Sequence, residues 1–532
     1  MQKKIQIKIP VSGSGNEQLV KSLLAKEAGC SENNISGFIQ LKRSLDARSK
    51  FPQILITASV FINEPFQPRA LTQQPILDVS QANKSVIIIG AGPAGLFAAL
   101  SLIRSGVRPI ILERGKDIRA RRRDLAMLNK EGFINPESNY CFGEGGAGTY
   151  SDGKLYTRSN KRGNIHRILD LFVRFGAGEN ILFEAHPHIG TNKLPGIISA
   201  MRDYIIGCGG EIHFNKKMTG WSEHREKITE VQTADGDRLH ADAVILATGH
   251  SARDIFRLLN QNKKEIQAKP FALGIRVEHP QELINSILYH YVRELGPHIP
   301  GLPPAAYQLV HTENNRSVFS FCMCPGGIIA PAATNEGEVV VNGWSPSKRN
   351  NPFANSGIVV NIVEKDWRAW SKYGPLAAMY FQASVEQKSY NLGGGSFKAP
   401  AQRMTDFVKG IISTSLPSCS YTPGIESADV PSVFPKSIGR SLQQAFPAFG
   451  IKMNGYFTQE AVIVATESRT SSPVRIPRDD KTLAHPQIKN LFPSGEGAGY
   501  AGGIMSAAMD GERVAEKIAE IFSSKPIIHV NA

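Results

Sequence analysis

The feature that most constrains the fold is a glycine-rich turn, GAGPAG at residues 90–95, between an apolar strand-like run (SVIII) and an apolar helix-like run (LFAALSLIRSG). Gly90 suits a tight turn, Gly92 lets the backbone approach a pyrophosphate, and Gly95 allows the helix to pack closely on the strand. The first turn of the helix offers free N–H groups and partial positive charge to phosphates. The pattern predicts a dinucleotide-binding unit.

A carboxylate stands at the position where a dinucleotide-binding unit places the residue that binds the ribose. The next apolar run, PIILE, ends at Glu113, which is 113 − 90 = 23 residues after Gly90. A carboxylate at this strand end can accept hydrogen bonds from the ribose hydroxyls of an adenosine. These two features predict a dinucleotide ligand but do not choose between FAD and NAD.

The order of apolar runs predicts an α/β fold with a parallel sheet. SVIIIG, RPIILE, EIHFN and ADAVILATG alternate with helical patterns, and NLFPSGEG resumes the pattern near the end. Between them, the chain is rich in short strands, Gly and Pro, without a βαβ rhythm. We therefore expect a Rossmann-like dinucleotide-binding domain of residues 82–265 and 455–525, interrupted by a strand-rich substrate or cap domain of residues 266–454.

The N-terminal segment reads as a separate unit. KIQIKIPV alternates apolar and polar residues, Asn16 can cap a helix that Gly29 ends, and two further strand-like runs follow. This strand–helix–strand–strand order predicts a small ferredoxin-like α+β module, which with a Pro- and Gln-rich linker occupies residues 1–75.

Charge and cysteine content narrow the function classes. The formal net charge of +14 allows nucleic-acid binding, but it is spread along 532 residues and is densest between Arg119 and Arg123, near the predicted dinucleotide site. Six cysteines without a CxxC pair, and no export signal at the start, predict a cytoplasmic protein. We interpret Cys322 and Cys324 as two buried thiols on a strand, and the uncharged run 85–103 as a buried strand and helix rather than a membrane span.

The C-terminal region favours FAD. LFPSGEG at residues 491–497 resembles the strand and acid with which two-dinucleotide-binding-domain flavoproteins hold the ribityl chain, although Glu496 replaces the more usual Asp. The following GYAGGIMSAAMDG resembles the helix whose N-terminus faces the flavin ring. The resemblance implies that backbone N–H groups near Gly503 and Ile504 point to the N1/C2 edge of the flavin. The turn Ala247-Thr248-Gly249 is a third element, which resembles a turn that lies beside the cofactor in the same flavoproteins.

Over the whole chain, the sequence resembles a bacterial family of largely uncharacterised FAD-dependent dehydrogenases. The resemblance rests on CFGEGGAGTYSDGKLYTR, AHPHIGTNKLP, ESRTSSPVRIPRD and SGEGAGYAGGIMSAAMDG. It implies a flavoprotein fold and an oxidoreductase activity without naming a substrate. The residues predicted to bind FAD are Gly90, Gly92, Pro93, Ala94, Gly95, Glu113, Arg114, Arg122, Gly146, Thr248, Gly249, Gly495, Glu496, Gly502, Gly503 and Ile504.

Candidate catalytic residues are fewer. His186 and His188 could move a proton near neutral pH, and we select His188 together with Glu467 and Arg469, which lie just upstream of the C-terminal element. Ser151, Lys154 and Arg158 follow the glycine-rich loop at residues 143–149 and could line a pocket for an anionic small molecule. No metal site is predicted.

The leading hypothesis is hydride transfer between an organic substrate and flavin N5. The sequence does not favour a disulfide reductase, because the CxxxxC motif of such an enzyme is absent. Gly146, not a cysteine, stands five residues after Cys141. Gly393-Gly394-Gly395 follows no apolar strand, so NAD(P)H would have to react without a dedicated domain. Two alternatives remain open: an RNA-modifying flavoprotein, and a non-catalytic protein that contains FAD.

Overall fold

The computed structural model describes residues 1–49, 51–72, 74–157, 163–290, 302–313 and 315–523. The candidate Arg158 lies outside these ranges. Within them, no helix is both long enough and apolar enough to cross a membrane. The uncharged run 85–103 is a buried strand followed by a buried helix.

The N-terminal module has the predicted order of elements. Its elements are β1 (Gln2–Pro10), α1 (Glu17–Ala28), β2 (Ile35–Asp46) and β3 (Gln53–Ile62). The strands form an antiparallel sheet in the order β1-β3-β2. Asn16 caps α1 by accepting a hydrogen bond from the backbone N–H of Leu19, and Gly29 ends the helix in the left-handed conformation.

The module and its linker are joined to the rest of the chain by hydrogen bonds. The backbone N–H of Arg43 donates to the Phe183 carbonyl at 2.7 Å, and the N–H of Ala185 donates to the Arg43 carbonyl at 2.8 Å. In the linker, the buried amide of Gln74 donates to the Leu100 carbonyl at 2.7 Å. The module therefore docks on the body of the protein through a short backbone ladder.

The dinucleotide-binding half is built on a parallel five-stranded sheet. In spatial order, its strands are β22 (Leu491–Pro493), β10 (Ala243–Leu246), β4 (Ser85–Ile89), β5 (Arg108–Leu112) and β6 (Glu211–His213). The central strands are buried, which explains their continuous apolar runs.

Helices cover this sheet. They are α2 (Pro93–Arg104), α3 (Ile118–Glu131), α4 (Ile165–Arg174), α5 (Leu194–Gly207), α6 (Arg253–Gln261) and α11 (Ile504–Phe522). The first and last of these pack against each other so closely that a Cβ at Gly511 would stand 2.0 Å from the Ala94 carbonyl oxygen. A small antiparallel sheet of β7 (Met218–His224), β8 (Lys227–Thr233) and β9 (Arg238–Leu239) accompanies this half.

We call the seven-stranded sheet, its helices and the adjoining strand pair of Ile328–Pro331 and Val341–Trp344 the cap. In spatial order, its strands are β13 (Val310–Glu313), β14 (Arg316–Cys324), β17 (Phe353–Ile362), β12 (Phe271–Pro280), β20 (Val462–Glu467), β18 (Ala399–Arg403) and β19 (Ile425–Ser427). All neighbouring strands are antiparallel except β18 and β19. Its helices are α7 (Gln281–Tyr289), α8 (Ala377–Leu392), α9 (Met404–Lys409) and α10 (Lys436–Lys452).

Two strand pairs complete the fold and bear on the domain boundaries. They are β11 (Gln267–Ala268) with β21 (Val474–Arg475), and β15 (Ile328–Pro331) with β16 (Val341–Trp344). Strand β20 pairs with β12 and β18 of the cap, although the sequence grouped residues from 455 onward with the dinucleotide-binding half. The apolar pattern of β20 could not reveal this difference, since strands of both sheets are buried.

Candidate functional site

A cavity of about 350 Å³ lies between the dinucleotide-binding half and the cap. Its wall includes the turn after β4, the loop after β10 and the loop between β22 and α11. Further parts of the wall come from the segment 141–157 and from strands β14 and β16 of the cap. Shorter contributions come from residues 112–114, 216–218, 254–255 and 469–470. Segments that are far apart in the chain therefore meet around one space.

The three glycines of the first motif play different structural roles. A Cβ at Gly90 would stand 2.5 Å from the Ala247 carbonyl oxygen, and a Cβ at Gly95 would stand 2.0 Å from the Gly90 carbonyl oxygen. These two positions exclude a side chain because backbone packs against them. A Cβ at Gly92 would meet nothing nearer than the Cα of Gly146 at 3.9 Å, and Gly92 lines the cavity. It leaves the room that a pyrophosphate requires.

Glu113 lines the cavity and ties three backbone segments together. One carboxylate oxygen accepts from the Ala91 N–H at 2.8 Å, and the other accepts from the Gly115 and Gly143 N–H groups at 2.9 Å each. The carboxylate thus joins the glycine-rich turn to the later loop at 143–149. Its expected contact with a ribose comes in addition to this structural role.

A buried arginine of the basic run, not among the predicted cofactor ligands, shapes the loop at 143–149. Arg121 is fully buried and donates hydrogen bonds to the carbonyl oxygens of Asn139, Tyr140, Glu144 and Gly146, at 2.7–3.1 Å. Burial lowers its pKa. Its neighbour Arg122, the predicted cofactor ligand, lies on the exposed side of α3 and does not line the cavity. The helical period separates the two, because adjacent residues point about 100° apart.

The C-terminal element contributes the N-terminus of α11. Gly503 precedes this helix with a φ of 146°, and Gly502, Gly503 and Ile504 line the cavity. Gly495 instead packs against Ala94, and its N–H donates to the Asp510 carboxylate at 2.7 Å. The first turn of α11 therefore turns its free N–H groups and positive dipole end toward the cavity.

Glu496 is the acid of this element, and it lines the cavity. Burial raises its pKa to about 7, against an opposing effect of Lys269. A carboxyl group with this pKa can accept or donate a hydrogen bond to a bound hydroxyl near neutral pH.

The loop after β10 brings a polar cluster that the sequence missed. The predicted cofactor ligands Thr248 and Gly249 line the cavity, and His250 and Ser251 line it next to them. The Ser251 hydroxyl lies 2.8 Å from Nδ1 of His250 and 3.3 Å from Sγ of Cys141. Burial lowers the pKa of His250 to about 4, so its imidazole is neutral at pH 7. The dipeptide follows the Ala-Thr-Gly turn directly, which is the one signal that could have identified it.

Arg469 reaches the cavity within a buried group of four charges. Its guanidinium donates to Glu386 at 3.0 Å and to Glu338 at 3.2 Å, and Arg253 donates to the same two carboxylates at 2.8 Å each. Arg469 also donates to the Ser251 hydroxyl at 3.2 Å. It is the one predicted catalytic residue that lines the large cavity.

Glu467 lies behind the cavity wall. It lines a small adjoining cavity of about 40 Å³ and accepts from the fully buried guanidinium of Arg276 at 2.6 Å. Burial raises the pKa of Glu467, and Arg276 opposes that rise. The pair is a buried ion pair rather than a free acid.

His188 does not line either cavity. Its Nε2 lies 3.3 Å from the Ser347 carbonyl, and burial together with Arg349 lowers its pKa to about 4. A β-bridge joins His188 to Lys154, which does line the large cavity with Ser151. His186 contacts the ring of Tyr156 at 5.1 Å. The histidine segment therefore supports the cavity wall from outside.

The cap closes the cavity with Phe321, Cys322, Cys324, Asn342 and Gly343. The interpretation of two buried thiols is wrong for Cys322, whose side chain is exposed, and holds for Cys324. The cause is a register shift between Phe321 and Cys324, where Cys322 adopts a φ of 44°.

The remaining predicted ligands divide between the cavity wall and its packing. Arg114 lines the cavity, stacks over the Phe142 ring at 4.2 Å and pairs with Glu137 at 2.6 Å. The other predicted ligands on the wall are Gly90, Pro93, Ala94 and Gly146. Gly95 and Gly495 pack behind the wall.

Comparisons with known proteins agree with the dinucleotide site. Residues 270–470 match the family described as "FAD-dependent protein, C-terminal domain-like", residues 83–125 match "FAD binding domain", and residues 1–62 match a domain of unknown function. An uncharacterized protein of Clostridium beijerinckii is 37% identical over 524 residues, which cover 95% of this chain and 96% of that protein.

Solved structures resemble the fold more distantly. Tetracycline destructase Tet(51) is 12% identical with a TM-score of 0.34 and covers 83% of each chain. The flavin-dependent brominase Bmp2 is 12% identical with a TM-score of 0.37, covering 83% of this chain and 80% of its own. The 2,6-dihydroxypyridine-3-hydroxylase of Arthrobacter nicotinovorans is 11% identical with a TM-score of 0.36, covering 83% and 84%.

Proposed function

We propose that this chain is an oxidoreductase that transfers a hydride between a small organic substrate and flavin N5. The chain belongs to one family with the Clostridium beijerinckii protein, and its matches to family models are to FAD-dependent and FAD-binding domains. FAD, when bound, supplies the redox chemistry, and the protein supplies binding, orientation and electrostatics.

The residues on the cavity wall suit this cofactor. Gly92 leaves space where any larger residue would add a side chain, and the N-terminus of α11 offers unpaired N–H groups. Glu113 and Glu496 add carboxyl groups on the same wall. We propose that these residues hold the pyrophosphate, the ribose and the ribityl hydroxyls.

The continuity of the cavity is the observation that supports hydride transfer. One space extends from Gly92 and Glu113 in the dinucleotide-binding half to Cys322 and Asn342 in the cap. A cofactor held by the first set leaves its reactive end within reach of a substrate held by the second. A cofactor and a substrate bound together between the two halves would displace bulk water, which suits the transfer of a hydride.

Charge at the cap end favours an anionic substrate. Lys154, Arg276 and Arg349 stand there against the two carboxylates Asp152 and Glu467. The excess of one positive charge complements a monoanion.

NAD(P)H, if it serves as electron donor, would bind without a domain of its own. Residues 393–395 follow the end of α8 rather than forming a strand-to-helix turn. This proposal therefore places NAD(P)H in the same cavity as a transient ligand.

Anaerobic reduction of the purified holoprotein tests the proposal. NADH, NADPH and a panel of metabolites are added separately, and loss of the flavin absorbance band is followed, with dithionite as the positive control. We expect at least one organic compound to reduce the flavin. Gly92→Val should yield colourless protein, because its new side chain enters the pyrophosphate space.

A variant at the cap end sharpens this test. Cys322→Trp places a large side chain where the thiol is exposed to the cavity, so we expect it to retain FAD and lose reduction by the substrate. Ile451→Trp is the matched control, because Ile451 is 86% exposed and does not line the cavity. Reduction by dithionite alone, or substrate reduction unchanged in Cys322→Trp, contradicts the proposal.

A further inference from the structure

We propose that the cap end of the cavity is a carboxylate-binding site, in which the Lys154 ammonium and the Asn342 side-chain amide are the donors and Arg276 positions them. The inference rests on the proposed function, because it names the substrate class of that same cavity. It predicts a substrate that carries a carboxylate near the carbon that exchanges a hydride.

The orientation of Asn342 supports the site. Its Oδ1 accepts from the Gly343 N–H at 2.7 Å and from Nη1 of Arg276 at 3.5 Å. Two donors on one side of the amide assign the oxygen to that side. The Nδ2 group has no acceptor among the described residues, and Asn342 lines both cavities. It therefore presents two N–H donors that an acceptor on a ligand can satisfy.

Lys154 supplies the charge. Its ammonium donates to the Met323 carbonyl and lies 3.5 Å from the Asp152 carboxylate. Asp152 pairs more closely with Arg349, at 2.8 Å, so it is shared between two cations. Burial lowers the pKa of Lys154, but Cys324 and Asp152 raise it more, and the net change is upward. The ammonium remains charged at neutral pH and is incompletely neutralised by the protein.

Arg276 is the positioning residue of this site. It is fully buried and does not line the cavity. Besides holding Asn342, its Nη2 donates to the Cys322 carbonyl at 2.7 Å, and its Nη1 donates to Glu467 at 2.6 Å. One planar guanidinium thus fixes β16 and the irregular part of β14 relative to each other, which a point-like ammonium cannot do.

Binding of simple carboxylates to the holoprotein tests the inference. Acetate and benzoate are titrated against their neutral counterparts acetamide and benzamide, and the perturbation of the flavin absorbance spectrum gives each dissociation constant. We expect saturable binding of the carboxylates and at least about tenfold weaker binding of the amides, since a charge-assisted hydrogen bond is roughly twice as strong as a neutral one. Equal binding of acid and amide overturns the inference, as does equal binding of chloride or inorganic phosphate.

Variants assign the donors. Lys154→Met and Asn342→Leu should each weaken benzoate binding with unchanged FAD content, and Asn342→Asp should abolish it by placing a carboxylate against the ligand. Lys84→Met is the matched control, because Lys84 pairs with Asp242 on the surface and lies outside the cavity. Unchanged benzoate affinity in Lys154→Met contradicts the role of the ammonium.

A double-mutant cycle separates positioning from general stability. Arg276→Lys should weaken benzoate binding in the wild-type background and have a clearly smaller effect in the Asn342→Leu background, because the amide that Arg276 orients is then gone. A purely structural role predicts the same effect in both backgrounds.

The two proposals can fail separately. If carboxylates bind but no metabolite reduces the flavin, the carboxylate-binding site is supported and the hydride-transfer proposal is contradicted. If neutral metabolites reduce the flavin and carboxylates show no preferential binding, hydride transfer is supported and the carboxylate-binding site is contradicted.

Discussion

The two ends of the cavity are built by different means. The dinucleotide end consists largely of backbone, with Gly92 and the first turn of α11 on its wall and the Glu113 carboxylate bonded to three N–H groups. The cap end consists of charged and polar side chains, held by the ion pairs of Arg276 and Arg469. Backbone geometry depends on local sequence, whereas side-chain clusters draw on segments far apart in the chain. Short sequence motifs therefore predict the dinucleotide end of the cavity, but they do not predict the cap end.

The largest expected loss of stability lies on the cap side of this comparison. Glu386 is fully buried and accepts hydrogen bonds from Arg253 and Arg469. Glu386→Gln leaves two buried guanidinium groups with too little negative charge, and we expect it to lower the free energy of unfolding by about 3–5 kcal/mol. Urea denaturation measures the change.

The matched control for this variant is Glu426→Gln, which breaks the exposed pair with Lys398 and should change the stability by less than about 1 kcal/mol. Similar effects of the two variants would show that the buried group of four charges does not hold the cap.

The second prediction concerns the dinucleotide side. Arg121→Leu removes a donor from four carbonyl oxygens, two of them in buried hydrogen bonds, and an unpaired buried acceptor costs about 1–3 kcal/mol. We expect a loss of about 3 kcal/mol or more and reduced FAD content, because the loop at 143–149 loses its anchor. Unfolding curves and the ratio of flavin to protein absorbance measure the two effects.

Arg122→Leu is the control for that prediction, since its exposed side chain lies one position further along the same helix. It should change the stability by less than about 0.5 kcal/mol and leave the FAD content intact. Loss of FAD in Arg122→Leu alone would reverse our assignment of the two arginines.

The smallest expected effect depends on pH and concerns Glu496, a cavity-lining acid whose burial disfavours its charged form. The pKa of Glu496 rises from an ordinary 4.5 to about 7 in the folded protein. The folded state therefore holds this proton more tightly than the unfolded state. This contribution to stability is fully present below pH 4.5 and is lost as the pH rises through 7.

The effect of replacing this ionisable group should be measurable in FAD-free protein. We expect the free energy of unfolding of Glu496→Gln, relative to that of the FAD-free wild type, to rise by about 2 kcal/mol from pH 5 to pH 8. This is less than the full pKa change implies, because the side chain is partly exposed. Urea unfolding at both pH values measures the difference. A constant gap between the two proteins at both values would contradict the raised pKa.

The sequence allowed much of the fold to be predicted, but less of the site. Five strands of the parallel sheet and the βαββ order of the module are where apolar runs and caps predicted them. Predicted ligands such as Gly92, Glu113 and Thr248 line the cavity. Among the proposed catalytic residues, Arg469 reaches it, whereas Glu467 lies behind its wall and His188 outside it. No local pattern distinguishes these three, because their position depends on how the cap packs.

The arginine run shows the same limit at the scale of one helix. The run marked the region near the cofactor site, but burial of Arg121 depends on the loop that folds over α3. Because Arg121 is buried, it cannot contact a polymer outside the protein. The basic charge that prompted the RNA-modifying alternative is therefore partly structural.

By itself, the sequence determined the dinucleotide-binding unit, the choice of FAD and the parallel sheet, because glycine positions, a strand-end acid and apolar periodicity act over a few residues. The tertiary structure decided which charges face the cavity, that Cys322 is exposed, and that the amide oxygen of Asn342 is held by Gly343 and Arg276. These outcomes depend on contacts between β14, β16 and Arg276 of β12, which are separated along the chain by up to about seventy residues. Only folding brings such groups within hydrogen-bonding distance, and a hydrogen bond requires that distance to within a fraction of an ångström.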